Sequence, residues 1–478
     1  MSDISSNITC EIKKMNLTKM SKTKLLEKCE ELGIKKCNSK NKGELINLIN
    51  DMTQLKKKEE LIIDDYVTNN VVPCICKEIN EVACHTNNSL KFIDLFCGIG
   101  GFHQALSKLG FECVFASDID ENCRKTYEKN YNIKPEGDIT KIEIDTIPKF
   151  DILCGGFPCQ PFSKAGFQKG FNDIRGNLFF NICKIVETHK PMYLILENVR
   201  NLASHDNGKT WNVIRTSLNN LGYYTYDEPV LLNVLHFNIP QNRERVVIMC
   251  KRMDLGELLQ LPKIDKNPKK NLTMFIKDII DKNTNDIKLT GKIKDVYLIW
   301  NNFIELCNKN NIDIPKFPIW TDCWDNEFEE NNIFYIKYKL WIDKNRDFYV
   351  NNFDMLNNWL AESRKNVNWV GSVRKFEWQA GNLCYENNSL NKCLFTARGS
   401  GIRVKKCDYI PTLVAMSMIP IYGPENRKLT PVELLRLQSF NDTFNYDEKH
   451  IYKQLGNAVN VKMIEKCARF LIYGETLF

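Results

Sequence analysis

The segment Phe92-Ile-Asp-Leu-Phe-Cys-Gly-Ile-Gly-Gly-Phe102 decides the fold. A short apolar run leads directly into closely spaced glycines and then into a helix-like sequence. Glycines at a strand-to-helix turn let a ligand approach the backbone, and a helix N-terminus favours negative groups. The segment therefore predicts a buried strand, a ligand-binding turn and a helix at the start of an α/β domain.

Four further apolar runs follow, each separated from the next by enough chain for a crossover helix. They are Cys113–Ser117, Asp151–Cys154, Met192–Leu196 and Arg245–Cys250. Short apolar runs of this kind are typical of strands that are buried on both faces of a mostly parallel sheet. We therefore predict an α/β fold whose strands continue to about residue 250.

Composition excludes several classes of protein. The 478 residues are 43% hydrophobic, which argues against wholesale disorder, and no apolar run approaches the roughly 18 residues of a membrane span. The polar N-terminus lacks the apolar core of a signal peptide. We therefore expect an intracellular, soluble protein without a membrane partner, located in cytoplasm or nucleoid, or in the nucleus of a eukaryote. Its 19 cysteines are then thiols rather than a disulfide framework.

The first 50 residues carry ten lysines against six acidic side chains, within a net charge of +7 for the chain. Basic ends often bind nucleic acid, although a solubilising tail is equally compatible with the charge. Two apolar stripes at helical spacing flank Gly33, and they consist of Leu25, Leu26, Cys29 and Leu32, then Leu45, Ile46 and Ile49. The stretch from Ser21 to Ile49 resembles a SAP domain, a helical DNA-binding module; the alternative is an ordinary helical hairpin.

The remaining chain divides into regions that differ in composition and in the spacing of their apolar residues. Residues 51–89 are predicted to be a linker, and their cluster of Cys74, Cys76, Cys84 and His85 fits zinc spacing poorly, so we expect no metal. Residues 258–427 are rich in Asn, Lys and aromatic side chains and interrupt the α/β pattern. We predict a helical module at 1–50, an α/β domain at 90–257 and 428–478, and an inserted second domain at 258–427.

Polar and reactive side chains follow the predicted strands. Asp118 ends the second strand and Asp138 is expected at the end of a third, where carboxylates can bind ribose hydroxyls. With the glycine turn, they predict a cofactor that contains adenosine. Cys159, in Gly155-Gly-Phe-Pro-Cys-Gln-Pro-Phe-Ser, and Glu197 follow later strands, so both are expected at the same sheet edge. A cysteine there can be exposed and partly ionised.

Taken in order, the motifs resemble the DNA cytosine-5 methyltransferases, especially those of bacterial restriction-modification systems. The segments that carry the resemblance are 92–102, Gly156-Phe-Pro-Cys-Gln-Pro-Phe-Ser, Glu197-Asn-Val, Gln241-Asn-Arg-Glu-Arg-Val, Arg427-Lys-Leu-Thr-Pro-Val-Glu-Leu-Leu-Arg-Leu-Gln and Gln454-Leu-Gly-Asn-Ala-Val. The resemblance implies a Rossmann-like methyltransferase domain that uses S-adenosyl-L-methionine, yields S-adenosyl-L-homocysteine and needs no metal. It makes 258–427 a target recognition domain, double-stranded DNA the substrate, and a cognate restriction endonuclease a candidate partner.

The resemblance also assigns roles. Cys159 would be the nucleophile that adds to C6 of a flipped-out cytosine, and Glu197 would be the acid at N3, assisted by Arg243 and Arg245. The expected cofactor-binding residues are Phe96, Gly98, Gly100, Asp118, Ile119, Asp138, Ile139, Pro158, Leu178, Asn457 and Ala458. The expected DNA-binding residues are Gln160, Ser163, Lys164, Arg175, Arg398, Arg403, Thr412 and Leu413. One departure from the family pattern is Ile119, where many members carry an aromatic side chain that stacks on adenine.

Two alternatives share these motifs. An RNA cytosine-5 methyltransferase of the tRNA-modifying branch would carry the same catalytic segments, but no Cys-Phe-Thr tripeptide typical of that branch is present. A catalytically inactive DNA-binding paralogue would be expected to lose Cys159 or the Glu197-Asn-Val segment, and this chain keeps both. The sequence therefore favours an active DNA cytosine-5 methyltransferase.

Overall fold

The computed structural model describes residues 21–25, 41–46, 49, 89–158, 178–282, 288–325, 333–381, 389–415 and 418–478. The chain divides into two compact units, Met1–Asn88 and Ser89–Phe478. In the described part of the chain, no helix is both long and apolar enough to cross a membrane.

The described residues of the first unit are largely helical. Residues 22–25 and 42–46 are helical, and Leu25, Leu45 and Ile49 are buried. The second of these helices begins with a reciprocal cap, in which the backbone N–H of Glu44 donates to Asn41 Oδ1 and that of Asn41 donates to Glu44 Oε2. Helical residues thus occur in both expected segments, while the resemblance to a SAP domain stays a prediction.

The second unit is built on a seven-stranded sheet. Its strands are β1 (Lys91–Leu95), β2 (Glu112–Ser117), β3 (Ile152–Gly155), β4 (Tyr193–Val199), β5 (Tyr223–Tyr224), β6 (Val230–Asn233) and β8 (Glu244–Arg252), with β7 (Gln241–Asn242) outside it. The order is β2-β1-β3-β4-β8-β5, and β6 also pairs with β8.

All five predicted strands are confirmed, and β1 to β4 run parallel. The strand that contains Arg245 runs antiparallel to its neighbours, which the prediction of a mostly parallel sheet did not anticipate.

Helices cover both faces of this sheet. They are α1 (Gly101–Ser107), α2 (Glu121–Tyr131), α3 (Leu178–His189) and α4 (Lys209–Asn220). Successive residues of β1 enter different cores, since Phe92 packs with α1 and Ile93 packs with α3 and α4. This alternation explains why apolar residues occur at both odd and even positions of β1, because every residue of a strand covered on both faces is buried.

A second hydrophobic core lies between residues 289 and 421. Its helices are α5 (Gly291–Lys309), α6 (Asp322–Asp325), α7 (Ile333–Asn351) and α8 (Phe353–Asn366). Its sheet contains β9 (Ile319–Trp320), β10 (Lys375–Trp378), β11 (Cys393–Arg398), β12 (Gly401–Lys406), β14 (Ile421–Tyr422) and β15 (Arg427–Lys428). The order of the strands in this sheet is β15-β14-β11-β12-β10-β9. Trp300 stacks on Phe376 at 4.3 Å between ring centroids in the centre of this core.

The inserted segment is tied to the first core at its borders. Ile276 and Ile279 pack with the first core, so the apolar residues of the second core begin only at Leu289. The short strand β13 (Ile410–Pro411) pairs in parallel with β7. The chain then returns to the first sheet with α9 (Pro431–Leu437), α10 (Ile451–Asn457) and α11 (Val461–Tyr473).

Candidate active site

Glu197 lies near the end of β4 and forms an ion pair with Arg245 on the adjacent β8. Arg245 Nε is 2.7 Å from Glu197 Oε1, and the two side chains are 11% and 10% exposed. Burial raises the pKa of the Glu197 carboxyl above its ordinary value, while the charges of Arg245 and Arg243 oppose that rise. The arrangement can therefore hold a proton on a carboxyl group at the sheet edge.

The next residue, Asn198, joins β4 to the loop after β3. Its buried Nδ2 donates to the carbonyl oxygen of Phe157 at 2.8 Å, and its Oδ1 accepts from the backbone N–H of Val199. Phe157 precedes Cys159 by two residues. Asn198 thus anchors the described end of the chain after β3. The predicted residues Cys159, Gln160, Ser163, Lys164 and Arg175 lie outside the described residues.

Arg243 is buried among backbone carbonyls rather than open to a substrate. Its Nη1 donates to Leu413 O at 2.9 Å and to Gly456 O at 3.1 Å, and its Nη2 donates to Gly456 O at 3.1 Å and to Ala458 O at 2.8 Å. Burial lowers its pKa to about 9. The sequence placed Arg243 beside Arg245 as a group that acts on the base, whereas in this geometry its guanidinium holds two distant chain segments, one at Leu413 and one at Gly456 and Ala458.

The glycine turn after β1 has the backbone conformation that the sequence indicates. Phe96, Gly98 and Gly100 have φ angles of 55°, 54° and 85°. A Cβ on Gly100 would lie 2.1 Å from Cε2 of Tyr131, so this position combines a left-handed backbone with close contact to α2. The turn is therefore held against α2 and cannot accept a larger side chain at Gly100.

Asp118 stands at the end of β2 beside this turn. Its Oδ2 accepts from the backbone N–H of Gly98 and its Oδ1 from that of Asp120, both at 2.8 Å. Burial raises the pKa of Asp118, and these two hydrogen bonds oppose the rise. A carboxylate has about four lone-pair sites, so both oxygens retain room for a hydroxyl donor. The geometry fits a ribose-binding role.

Ile119 is 76% exposed and presents an aliphatic surface beside Asp118. Arg124 Nη1 donates to the backbone carbonyls of Asp118 and Ile119 at 2.8 and 3.1 Å, which fixes this segment of chain. An exposed aliphatic side chain next to a hydroxyl-binding carboxylate suits the flat apolar face of adenine. The residues present therefore fit an adenosine group.

The expectation that Asp138 ends a third strand is wrong. Asp138 instead caps a 3-10 turn, Ile139–Lys141, and its Oδ1 accepts from the backbone N–H of Thr140 at 3.0 Å and from its hydroxyl at 2.8 Å. The chain makes only an isolated bridge between Glu136 and Ser117 before this turn. The bridge nevertheless brings the chain two residues before Asp138 to the end of β2. Ile139, Leu178 and Phe96 pack against one core.

The C-terminal part of the chain completes this region. A Cβ on Gly101 would lie 2.6 Å from Cγ2 of Val459, so the turn after β1 directly contacts the segment that contains Asn457 and Ala458. Asn457 is exposed and Ala458 is buried, and Pro158 is exposed at the end of the described chain after β3. Sequence positions more than 350 residues apart thus meet at one sheet edge.

Two cavities share Asn242 and Thr412, and Arg245 lines the first of them. One, of about 440 Å³, is lined by Val199, Arg200, Asn201, Ser204, Asn242, Glu244, Arg245 and Thr412. The other, of about 330 Å³, shares Asn242 and Thr412 and is also lined by Arg398, Arg403 and Lys405. Thr412 Oγ1 donates to the carbonyl of Asn242 at 2.7 Å, and the backbone N–H of Leu413 donates to Gln241 Oε1 at 3.2 Å.

Sequence reasoning missed Asn242, Arg124 and Lys405 as parts of these sites. Asn242 lies in the quoted segment Gln241-Asn-Arg-Glu-Arg, so its position directly before Arg243 was an available signal. Arg124 contacts this site through hydrogen bonds to the backbone carbonyls of Asp118 and Ile119. No sequence pattern predicts hydrogen bonds to backbone carbonyls.

Comparisons with known proteins identify the family of this chain. The family model described as C-5 cytosine-specific DNA methylase matches residues 90–472. The Type II methyltransferase M.HgiCI of Herpetosiphon aurantiacus is 32% identical over 436 residues, covering 79% of this chain and 96% of that protein. M.DsaV of Dactylococcopsis salina is 42% identical over 388 residues, covering 80% and 86%.

A third relative, M.HhaI of Haemophilus parahaemolyticus, is 48% identical over 192 residues, which cover 40% of this chain and 57% of that protein. The family model spans the turn after β1, the Glu197–Arg245 pair and the C-terminal segment around Asn457. The chain therefore belongs to the family of C-5 cytosine-specific DNA methylases.

Proposed function

We propose that this chain transfers the methyl group of S-adenosyl-L-methionine to C5 of a cytosine in a specific double-stranded DNA sequence. The observation that carries the proposal is the buried Glu197–Arg245 pair, which lies beside an open cavity and one residue before Asn198, the anchor of the loop that leads to Cys159. A carboxyl acid and a thiol at one sheet edge are the groups that activation of cytosine requires.

The proposed chemistry starts at Cys159. Its thiolate adds to C6 of the base, and the electron pair of the C5–C6 double bond moves toward N3, where Glu197 supplies a proton. The cofactor supplies an electrophilic methyl group on a sulfonium. Loss of the C5 proton to a base then restores the double bond and expels the Cys159 thiolate, so the enzyme is regenerated.

Arg245 has a different task from Arg243. Its guanidinium contacts Glu197 and lines the cavity, so it can orient the carboxyl and hold the carbonyl oxygen of the base. Arg243 acts through the backbone, since its four hydrogen bonds hold Leu413, Gly456 and Ala458. We therefore assign Arg245 to the base and Arg243 to positioning.

The cofactor would bind at the ends of β1 and β2. Asp118 can accept from ribose hydroxyls, and the exposed Ile119 can cover the adenine ring. The backbone of the glycine turn and the segment around Asn457 would enclose the remainder. The described geometry of Gly98, Asp118 and Arg124 supports this placement.

Because C6 of cytosine lies inside a stacked duplex, the base must be extruded before Cys159 can reach it. The cavity beside Arg245 is the space that such a base would enter. Residues 159–177, with Lys164, Lys169 and Arg175, are proposed to close over the base and to contact DNA, as the resemblance implies.

Target recognition is proposed to reside in 258–427. The cationic side chains of Arg398, Arg403 and Lys405 line a cavity that shares two residues with the cavity beside Arg245. A duplex whose target base enters one cavity would therefore contact the other. This continuity gives the proposed catalytic site a neighbouring basic cavity that suits a polyanionic substrate.

Bisulfite sequencing of DNA from cells that express the protein tests the proposal. Protection of cytosines at one short recurring sequence is expected with the native chain and not with Cys159→Ala. An absence of protected cytosines in DNA, together with methylated cytosine in tRNA, would favour the RNA alternative. An absence of methylation in both would favour an inactive DNA-binding paralogue.

A further inference from the structure

The sheet of the second core, which contains β10, β11 and β12, carries charged side chains on one face. Ile402 and Val404 of β12 are buried in the second core, so Arg403 and Lys405 project from the opposite face of the strand. In the sheet register, Arg403 lies between Thr396 of β11 and Glu377 of β10. These side chains form one row across three strands.

The surface is basic and crowded. The described residues that line its cavity include three cations, Arg398, Arg403 and Lys405, and no acid. Burial and the neighbouring cations lower the pKa of Arg398 and that of Lys405. Such crowding of positive charge is unfavourable in the absence of an anion, which indicates a polyanionic partner.

Glu377 stands in this basic row. Its Oε2 is 2.8 Å from Arg403 Nε and 2.7 Å from Arg403 Nη2, and its Oε1 accepts from Gln379 Nε2. The carboxylate therefore occupies one edge of the guanidinium. The pair is partly exposed, at 33% for Arg403 and 25% for Glu377, so a ligand can reach the other edge.

We propose that Glu377 is a specificity-determining residue that directs Arg403 to a base edge rather than to a phosphate. A phosphate that approached Arg403 would be repelled by the adjacent carboxylate, whereas the N7 and O6 acceptors of guanine are neutral. The ion pair also fixes the plane of the guanidinium, which a directional contact with a base requires. This inference rests on the proposed function, because it assumes that DNA is the partner of this surface.

The test uses Glu377→Gln in the full chain and a randomised duplex library that contains cytosine. Sequences retained on the protein are compared with those that become methylated. Glu377→Gln keeps the side-chain shape but removes the charge, so preference is expected to fall about tenfold at one base position and to persist elsewhere. For duplexes without a target sequence, the affinity of Glu377→Gln should fall more steeply with salt concentration than that of the wild type, by the slope of about one phosphate contact. The reason is that Arg403 becomes free to bind phosphate.

A matched control is Asp322→Asn. Asp322 forms an ion pair with Arg374 at 2.9 Å with similar exposure, 29% and 36%, but neither residue lines the cavity. Its sequence preference is expected to equal that of the wild type. If Glu377→Gln fails to fold by thermal unfolding, Arg403→Lys replaces it, because lysine keeps the charge without the planar fork. It should relax the same single position.

An unchanged preference in the folded variant, or an equal slowing at all sequences, would overturn the proposal. If the protein binds preferred sequences from the library but methylates none of them, the proposed function is contradicted. The sequences bound by the wild type and by Glu377→Gln would still show whether Glu377 determines specificity.

Discussion

Arg245 Nε lies 2.7 Å from Oε1 of Glu197, across the boundary between a parallel and an antiparallel pair of strands. The antiparallel direction of β8 brings its N-terminal end, and therefore Arg245, to the edge where β4 ends. A parallel strand would have placed Arg245 at the opposite edge. The proposed acid and the arginine that orients it thus depend on this reversal of strand direction.

The raised pKa of Glu197 predicts a pH-dependent stability difference. A carboxyl whose pKa is higher in the folded state binds its proton more tightly there, so the stabilisation is present below the unfolded pKa and is lost as pH rises through the folded pKa. Glu197→Gln has no such titration. The melting temperature of the wild type relative to that of Glu197→Gln should therefore fall as pH rises from about 4 to about 8, measured by thermal unfolding. A constant difference across this range would contradict the raised pKa.

Asn198→Asp tests whether the hydrogen bond to Phe157 positions the nucleophile. The replacement has the same shape but lacks the N–H donors, so the carbonyl of Phe157 would face an oxygen. We expect single-turnover methyl transfer to fall by about 100-fold, as displacement of a reacting group by about 1 Å can cause. DNA binding measured in parallel should change little. Wild-type turnover in this variant would show that the contact does not position Cys159.

The two arginines should separate into different phenotypes. Arg243→Lys leaves several buried carbonyls without donors, so we expect a loss of at least about 3 kcal/mol in the free energy of unfolding. Arg245→Lys keeps a cation beside Glu197 and should lose methyl transfer with a much smaller loss of stability. Urea unfolding and methyl-transfer assays on both variants measure this contrast. Arg243→Lys with native stability would refute the positioning role.

The sequence was sufficient to predict the strands and the parallel direction of β1 to β4, but not the antiparallel direction of β8. The run Arg245-Val-Val-Ile-Met-Cys is apolar in either orientation, so it indicated burial without showing that β8 is antiparallel. Asp138 was misplaced for a similar reason, because spacing from Asp118 suggested a third strand end while Thr140 stabilises a turn instead. The local spacing of apolar and polar residues does not distinguish a parallel from an antiparallel strand, or a strand end from a capped turn.

The difference between Arg243 and Arg245 also lay beyond the sequence. The sequence pattern gives the same prediction for two arginines at alternate positions of one strand. Only the long-range hydrogen bonds of Arg243 to Leu413, Gly456 and Ala458 distinguish its role from that of Arg245. The carboxyl of Glu197 could be placed because it directly follows an apolar run. Residues that act through distant carbonyls, such as Arg124, could not.

Ile119 offers a test of the cofactor site that does not depend on catalysis. Its side chain is 76% exposed, and burial against adenine would remove apolar surface from water. Ile119→Ala should weaken the binding of S-adenosyl-L-homocysteine about tenfold by calorimetry, as expected for loss of roughly 1.5 kcal/mol of apolar contact. Ile336→Ala, at another exposed isoleucine on α7, is the control. Equal affinities for the two variants would remove Ile119 from the site.

The most direct test of the account is covalent capture by a duplex that carries 5-fluorocytosine at the target cytosine. Fluorine at C5 cannot leave as a proton, so the adduct between the Cys159 sulfur and C6 should persist after methyl transfer. The account predicts a denaturation-resistant complex with the wild type in the presence of S-adenosyl-L-methionine. Mass spectrometry of its peptides should place the base on Cys159, and Cys159→Ser should form no complex while still binding DNA. Methylation of ordinary cytosine by Cys159→Ala, or an adduct on another cysteine, would contradict the account.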